Sequence, residues 1–320
     1  MVPLYLRLLQ VQSLLWLSLS SSSFSSDEAR VSIAKFNCAD HCGKVKIPYP
    51  FGVGANCSYN AYYEIVCRHN DSFDHGTPFL KYYGLEITDI YWPKWYSSLD
   101  SPNSALGNEQ TLTVRAPARN ICGSESVGAH RFDLEGSPYR FSSFNDFMVV
   151  GCGGSALLKN KSGGILTGCA SVCANDPAAS NIETTNCFGS GCCRSPVGVD
   201  NGLVFYEVAV DYNTTATGSQ TCTLAAGLIK SDSTSEKIEH LTTFPTMLDW
   251  SAAALIDNFT FDYTLDYDNF SCGNAYWGGK LCSCNYMYGG NPYLPSGCQG
   301  ETNADVHSFL ALSLSLSLSA

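Results

Sequence analysis

Cations and aromatic rings recur through the first 120 residues in a pattern suited to holding a charged polymer. Lys44 and Lys46 flank Val45, Tyr49 and Phe51 flank Pro50, Arg68 follows Cys67, and Arg115 and Arg119 come later. Arg and Lys offer carboxylates charge and directed hydrogen bonds, whereas Tyr and Phe offer sugar rings a flat apolar face. An acidic polysaccharide presents both groups. These seven residues, with Tyr62 and Tyr63 nearby, therefore form the candidate binding set. The competing reading is ordinary surface charge over core aromatics.

Bond-breaking chemistry finds less support, and the chain is read as no enzyme. Neither Gly-x-Ser-x-Gly nor His-Glu-x-x-His occurs, and Gly151-Cys152-Gly153 is not continued as a nucleotide-binding turn because position 156 is Ala. Ser126, His130 and Asp133 are common residue types close in sequence, better read as surface groups than as a triad. A glycosidase needs only two suitably spaced carboxylates, so a secreted hydrolase is carried as a third reading.

Sixteen cysteines set the compartment: Cys38, Cys42, Cys57, Cys67, Cys122, Cys152, Cys169, Cys173, Cys187, Cys192, Cys193, Cys222, Cys272, Cys282, Cys284 and Cys298. The short spacings Cys38/Cys42 and Cys169/Cys173 admit zinc, but the cysteines are spread along the chain and the histidines do not cluster with them. Disulfides are the preferred reading, with no metal and no cofactor. Adjacent Cys192 and Cys193 point apart in extended chain and should bond to two different neighbours. Residues 1–26 read as a secretory signal: Arg7, then the apolar run Leu14–Leu19, then serines. Sequons at Asn56, Asn70, Asn160, Asn213, Asn258 and Asn269 agree with export and glycosylation.

The net charge is −11, and residues 200–320 carry 13 acidic against 3 basic side chains. An acidic polymer should avoid that third of the chain, and nucleic acid is a poor partner for the whole.

The stretch Cys38–Cys57, CADHCGKVKIPYPFGVGANC, holds the densest signal. Prolines 48 and 50 favour extended backbone on a sheet edge or surface, and Gly52 and Gly54 permit a turn, so Lys44, Lys46, Tyr49 and Phe51 should be displayed. Cys42-Gly43 followed by Ile47-Pro48-Tyr49-Pro50-Phe51-Gly52 resembles the start of the galacturonan-binding module of plant wall-associated receptor-like kinases. The order V-G-C at Val150, G-C-x-S-x-C at Gly168 and N-C-F-G-x-G-C-C at Asn186 resembles the second cysteine-rich region of that family. Cys282-Ser283-Cys284 with Gly290-Asn291-Pro292-Tyr293-Leu294…Gly297-Cys298 resembles the segment that opens its EGF-like repeats. The resemblance implies an extracellular, β-structured, disulfide-rich region that contacts pectic polysaccharide in the plant cell wall.

The expected fold is mostly β: a galacturonan-binding-like module at 38–140, a second cysteine-rich β module at 141–271, a partial EGF-like unit at 272–299 and a divergent tail at 300–320. Leu85–Trp92, Thr111–Arg115 and the alternating run Val204–Tyr212 read as strands, Lys94–Glu109 as a loop and residues 213–240 as a loop-rich link. Phe259–Asp268 alternates perfectly; its face of Asp262, Asp266 and Asp268 is read as solvated, with calcium as the minority alternative. The Leu/Ser run at 308–320 is too short to span a membrane. The reading is a secreted, non-catalytic pectin-binding ectodomain, membrane-attached only if a longer form carries a span. A protein-interaction module or soluble decoy, binding a co-receptor or peptide, is the alternative.

Overall fold

The computed structural model describes residues 33–70, 73–91, 110–122, 125–127, 131–172, 187–198, 203–212, 222–233, 242–252, 269–275, 277–285, 288–295 and 297–300. Among them every regular element is a strand. In chain order these are β1 (His41–Cys42), β2 (Val45–Lys46), β3 (Gly52–Val53), β4 (Glu64–Asn70), β5 (Phe73–Leu80), β6 (Leu85–Tyr91), β7 (Thr111–Pro117), β8 (Arg119–Cys122), β9 (Glu125–Val127), β10 (Arg131–Asp133) and β11 (Tyr139–Phe141). There follow β12 (Asn145–Gly151), β13 (Gly154–Lys159), β14 (Ile165–Ser171), β15 (Cys192–Pro196), β16 (Phe205–Tyr212), β17 (Cys222–Lys230), β18 (Thr243–Trp250), β19 (Phe270–Asn274), β20 (Lys280–Cys284), β21 (Tyr288–Gly290) and β22 (Cys298–Gly300).

Three sheets carry the architecture: seven strands in the order β11-β18-β7-β6-β5-β4-β3, five in the order β15-β12-β17-β8-β9, and four in the order β10-β16-β13-β14. Only Ala118 separates β7 from β8, so one run of chain passes from the seven-stranded sheet into the five-stranded one. Strand β18 pairs with β7 from Thr243 opposite Pro117 to Asp249 opposite Thr111. The stretches 38–140 and 141–271 thus share a sheet. They also share a core, in which Phe51, Tyr63, Ile87 and Val114 join Phe147, Leu158, Leu228 and Trp250.

Composition accounts for the strands. Phe147-Met148-Val149-Val150 is apolar on both faces, and β12 accordingly lies between β15 and β17 with all four side chains buried. Tyr206 and Val208 of β16 are buried while Asp211 on the other face is exposed, as period-two alternation requires. The link expected over 213–240 is corrected at 222–230: β17 is an interior strand pairing with both β12 and β8. Its Ala225-Ala226-Gly227 centre lacks β-branched residues, and small size is what the packing demands. A Cβ on Gly227 would come within 2.8 Å of the Phe244 ring.

Disulfides brace the outer parts. Cys192 bonds Cys187 and Cys193 bonds Cys169, two different neighbours, while Cys272–Cys282 bridges the hairpin β19–β20 and Cys284–Cys298 ties β20 to β22. Residues 1–26, 94–109, 259–268 and 308–320 lie outside the described residues, as do His130 and Cys173. Among the described residues no helix is long and apolar enough to cross a membrane.

One buried carboxyl makes stability depend on pH. Asp249 on β18 is buried, and its Oδ1 finds no hydrogen-bond partner among the described residues. Arg140 stands opposite it in the strand register but donates to the Trp277 carbonyl at 3.4 Å, and Ser142 hydrogen-bonds the carboxyl. Burial pushes Asp249 up to about 6. The fold therefore holds a proton that the unfolded chain releases near pH 4, so stability should fall as pH rises from about 4 through 6 and then level off. We expect a loss of about 3 kcal/mol at most across that window. Thermal melts of Asp249→Asn should show this part of the pH dependence removed; an unchanged profile would assign it elsewhere.

Candidate functional site

The Ile47–Gly52 stretch is not displayed. Ile47 and Phe51 have 0% exposure, and Pro48 and Pro50 are buried with them. In place of an extended edge, residues 48–51 form a turn closed by the Phe51 amide donating to the Pro48 carbonyl (2.9 Å), with a cis Tyr49–Pro50 peptide. The Phe51 ring meets Tyr63 at 5.4 Å and Trp250 at 5.1 Å, both edge-on. Phe51 is therefore withdrawn from the candidate binding set, as is buried Tyr63, whose hydroxyl donates to the Ser251 carbonyl. Two prolines flanking an aromatic ring gave the look of a surface strand. In fact the rigid turn aims its apolar groups inward, where burying them is favourable.

The far end of the chain closes over this turn. Buried Asn291 donates through Nδ2 to the carbonyls of Ile33 and Tyr49, both at 2.7 Å, and its Oδ1 accepts from the Tyr293 amide. The Tyr293 hydroxyl accepts from the Cys282 amide and donates to Gln110 Oε1, each at 2.8 Å. Its ring sits 5.8 Å from Trp250. The segment read as a partial EGF-like unit thus packs as a clasp on the first motif, half-burying Tyr49.

What the motif does expose is the hairpin in front of it. β1 and β2 pair His41 with Lys46 and Cys42 with Val45, so Lys44 lies in the connecting turn and both lysines are exposed. Val45 packs on the core and anchors the hairpin. The Cys42–Cys67 disulfide fixes it to β4, and Cys38–Cys57 ties down its approach. Gly43 has φ +60°, and a Cβ there would lie 2.0 Å from the Gly76 carbonyl oxygen of β5, so glycine is required on both counts. Arg68, the residue after Cys67, is exposed and stacks its guanidinium over the Phe79 ring at 4.0 Å. That contact holds the planar fork in place while leaving its donors available to a carboxylate.

The disulfide thereby ties the backbone bearing Lys44 and Lys46 to the strand bearing Arg68, whose side chain leaves the face of β4 opposite Cys67. Arg115 stands apart from all three: it lies on β7, three strands from β4 and so about 14 Å away, within 3.7 Å of Glu86. Arg119 sits in the five-stranded sheet, half-buried. Phe79, the platform beneath Arg68, was not singled out from the sequence, where Thr77-Pro78-Phe79-Leu80 shows no period-two pattern.

Residues 38–93 match the family described as wall-associated receptor kinase galacturonan-binding. Among curated proteins the chain is 28% identical over 298 residues to wall-associated receptor kinase-like 6 of Arabidopsis thaliana, covering 82% of this chain and 44% of that protein. To wall-associated receptor kinase-like 1 it is 29% identical over 320 residues, covering 90% and 41%. To wall-associated receptor kinase 3 it is 28% identical over 296 residues, covering 85% and 37%. The chain spans less than half the length of these relatives, and no solved structure matches it. Over most of its length it is similar to the extracellular region of wall-associated receptor kinase-like proteins.

Proposed function

We propose that this chain is a non-catalytic extracellular region that binds pectic galacturonan through the basic hairpin and β4, without a cofactor. The observation that carries the reading is the Cys42–Cys67 disulfide, which joins Lys44 and Lys46 to the strand bearing Arg68. Three exposed cations on one rigid mount suit a polymer carrying a carboxylate on every sugar. The galacturonan-binding match over 38–93 covers the hairpin, its disulfide partner and Phe79. The disulfides among the described residues support an extracellular setting, and Asn56 and Asn160, at the surface in turns, would serve there as glycan acceptors.

Retention of the oxidised, secreted protein on de-esterified galacturonan beads tests this. Retention should fall steeply with salt, since exposed ionic contacts are screened. Replacing Lys44, Lys46 and Arg68 together by Ala should weaken it roughly 100-fold, about 1 kcal/mol for each exposed contact. Retention that ignores salt, or survives the triple substitution, overturns the reading.

Phe188, 92% exposed on the Cys187–Cys192 loop, and exposed Val172, bridged to that loop at Ser190, favour a second reading: a protein or peptide partner. A crosslinking screen that recovers a protein partner and no glycan would select it.

A further inference from the structure

The opposite end of the β4–β5 hairpin carries a second surface of different chemistry. The turn Lys81–Gly84 between β5 and β6 presents Tyr82 and Tyr83, and Tyr62 leads into β4 beside them. Tyr82 is 58% exposed, its ring centroid 4.7 Å from Tyr62 and 4.9 Å from Tyr83. Tyr83 continues the row to Phe132 at 5.8 Å, and Phe132 lies stacked on buried Tyr206 at 6.3 Å. The result is a terrace of rings rising from the core to solvent.

Its footing is rigid. The Tyr62 carbonyl accepts from the buried Tyr139 hydroxyl (2.9 Å), its amide donates to Asn60 Oδ1 (2.9 Å), and the Gly84 amide closes the turn on the Leu80 carbonyl (2.8 Å). Hydroxyls stand at its rim: Tyr83 is hydrogen-bonded to Ser137, and Tyr62 to Tyr82. Flat apolar faces edged by hydroxyl donors and acceptors match a pyranose ring, whose C–H face is apolar and whose rim is hydroxylated.

Charge then decides which sugar. The lysines bordering the terrace are engaged, Lys81 with Glu64 at 2.8 Å and Lys161 with Glu135, and Asp133 adds a negative charge beside Phe132. Exposed Arg131 on the same strand as Asp133, and Lys161 near it, balance that charge, so a free carboxylate would lose its water here without net attraction in return. A sugar whose carboxyl is esterified meets no such cost.

We propose that Tyr82, with Tyr62 and Tyr83, forms a subsite that stacks uncharged, methyl-esterified galacturonide rings, distinct from the cationic subsite at Lys44, Lys46 and Arg68. This rests on the galacturonan-binding reading and refines it. Tyr82 and Thr77, the strand partner of Arg68, are five residues apart, about 15 Å along the strand direction, so one polymer bearing both esterified and free sugars could engage both subsites.

Titration calorimetry with two galacturonide oligomers of equal length, one fully methyl-esterified and one fully de-esterified, tests the assignment. Tyr82→Ala should weaken the esterified oligomer about tenfold, a loss in the range of a ring stack, and leave the de-esterified one within twofold. Tyr82→Phe keeps the ring and should retain most of the affinity, separating stacking from misfolding. The triple cation variant should show the reverse pattern. If the wild type ignores the esterified oligomer, or Tyr82→Ala leaves its binding unchanged, the terrace proposal is overturned while the cationic reading stands. If the triple variant alone keeps full affinity for the de-esterified oligomer, the cationic reading fails and the terrace stands.

Discussion

Phe51→Ala should unfold or severely destabilise the protein instead of merely weakening sugar binding. The side chain is fully buried between Tyr63 and Trp250, and the clasp from Asn291 and Tyr293 closes over the same turn. Truncating a buried phenylalanine removes its transfer free energy and leaves a cavity, typically about 3–5 kcal/mol together. Tyr63, immediately before β4, and Trp250, the last residue of β18, both line that site, so the void cannot collapse without disturbing the seven-stranded sheet. Thermal unfolding and yield of secreted protein would register the effect, and Phe51→Leu, closer in volume, should cost less. A Phe51→Ala protein with the wild-type melting temperature but weakened galacturonan retention would restore the exposed-ring view that the structure displaces.

Removing the Cys42–Cys67 bridge should have the next largest effect, and a double one. Its 25-residue separation corresponds, by the chain-entropy account, to about 3.5 kcal/mol of stability. It is also the covalent link between the two lysines and Arg68, so the Cys42→Ser/Cys67→Ser protein should lose salt-dependent retention even where it still folds. Cys187→Ser/Cys192→Ser supplies the comparison. That bridge spans 5 residues, its stabilisation should be nearer 2 kcal/mol, and it braces a loop bearing no residue of the cationic set. Equal loss of retention in both variants would mean that binding tracks global stability and not the placement of the hairpin.

The two results concern the same eleven residues, Cys42–Gly52, which hold two jobs in sequence. The first half, Cys42–Lys46, is an exposed hairpin pinned at Gly43 and Cys42; the second, Ile47–Gly52, is a core plug. Their separation explains how a short motif can be both compositionally rigid and functionally exposed.

Much was legible without coordinates. Alternation located β16, because side-chain periodicity is a local property of extended chain. The cysteines announced a braced β structure. Lys44, Lys46 and Arg68 were recognisable as exposed cations, since lysine and arginine rarely lose solvent. What the chain order could not disclose was which apolar groups face one another across long separations. Phe51 was indistinguishable from a displayed ring until Trp250, nearly 200 residues later, was seen to cover it; β17 looked like a linker until Phe244 was seen to require Gly227. The tyrosine terrace needed the same information, because Phe132 and Tyr206 come to it from outside the β4–β6 stretch. Local pattern reports that a strand has two faces. Burial is settled by what lies against each face, and in this fold that partner usually comes from a distant part of the chain.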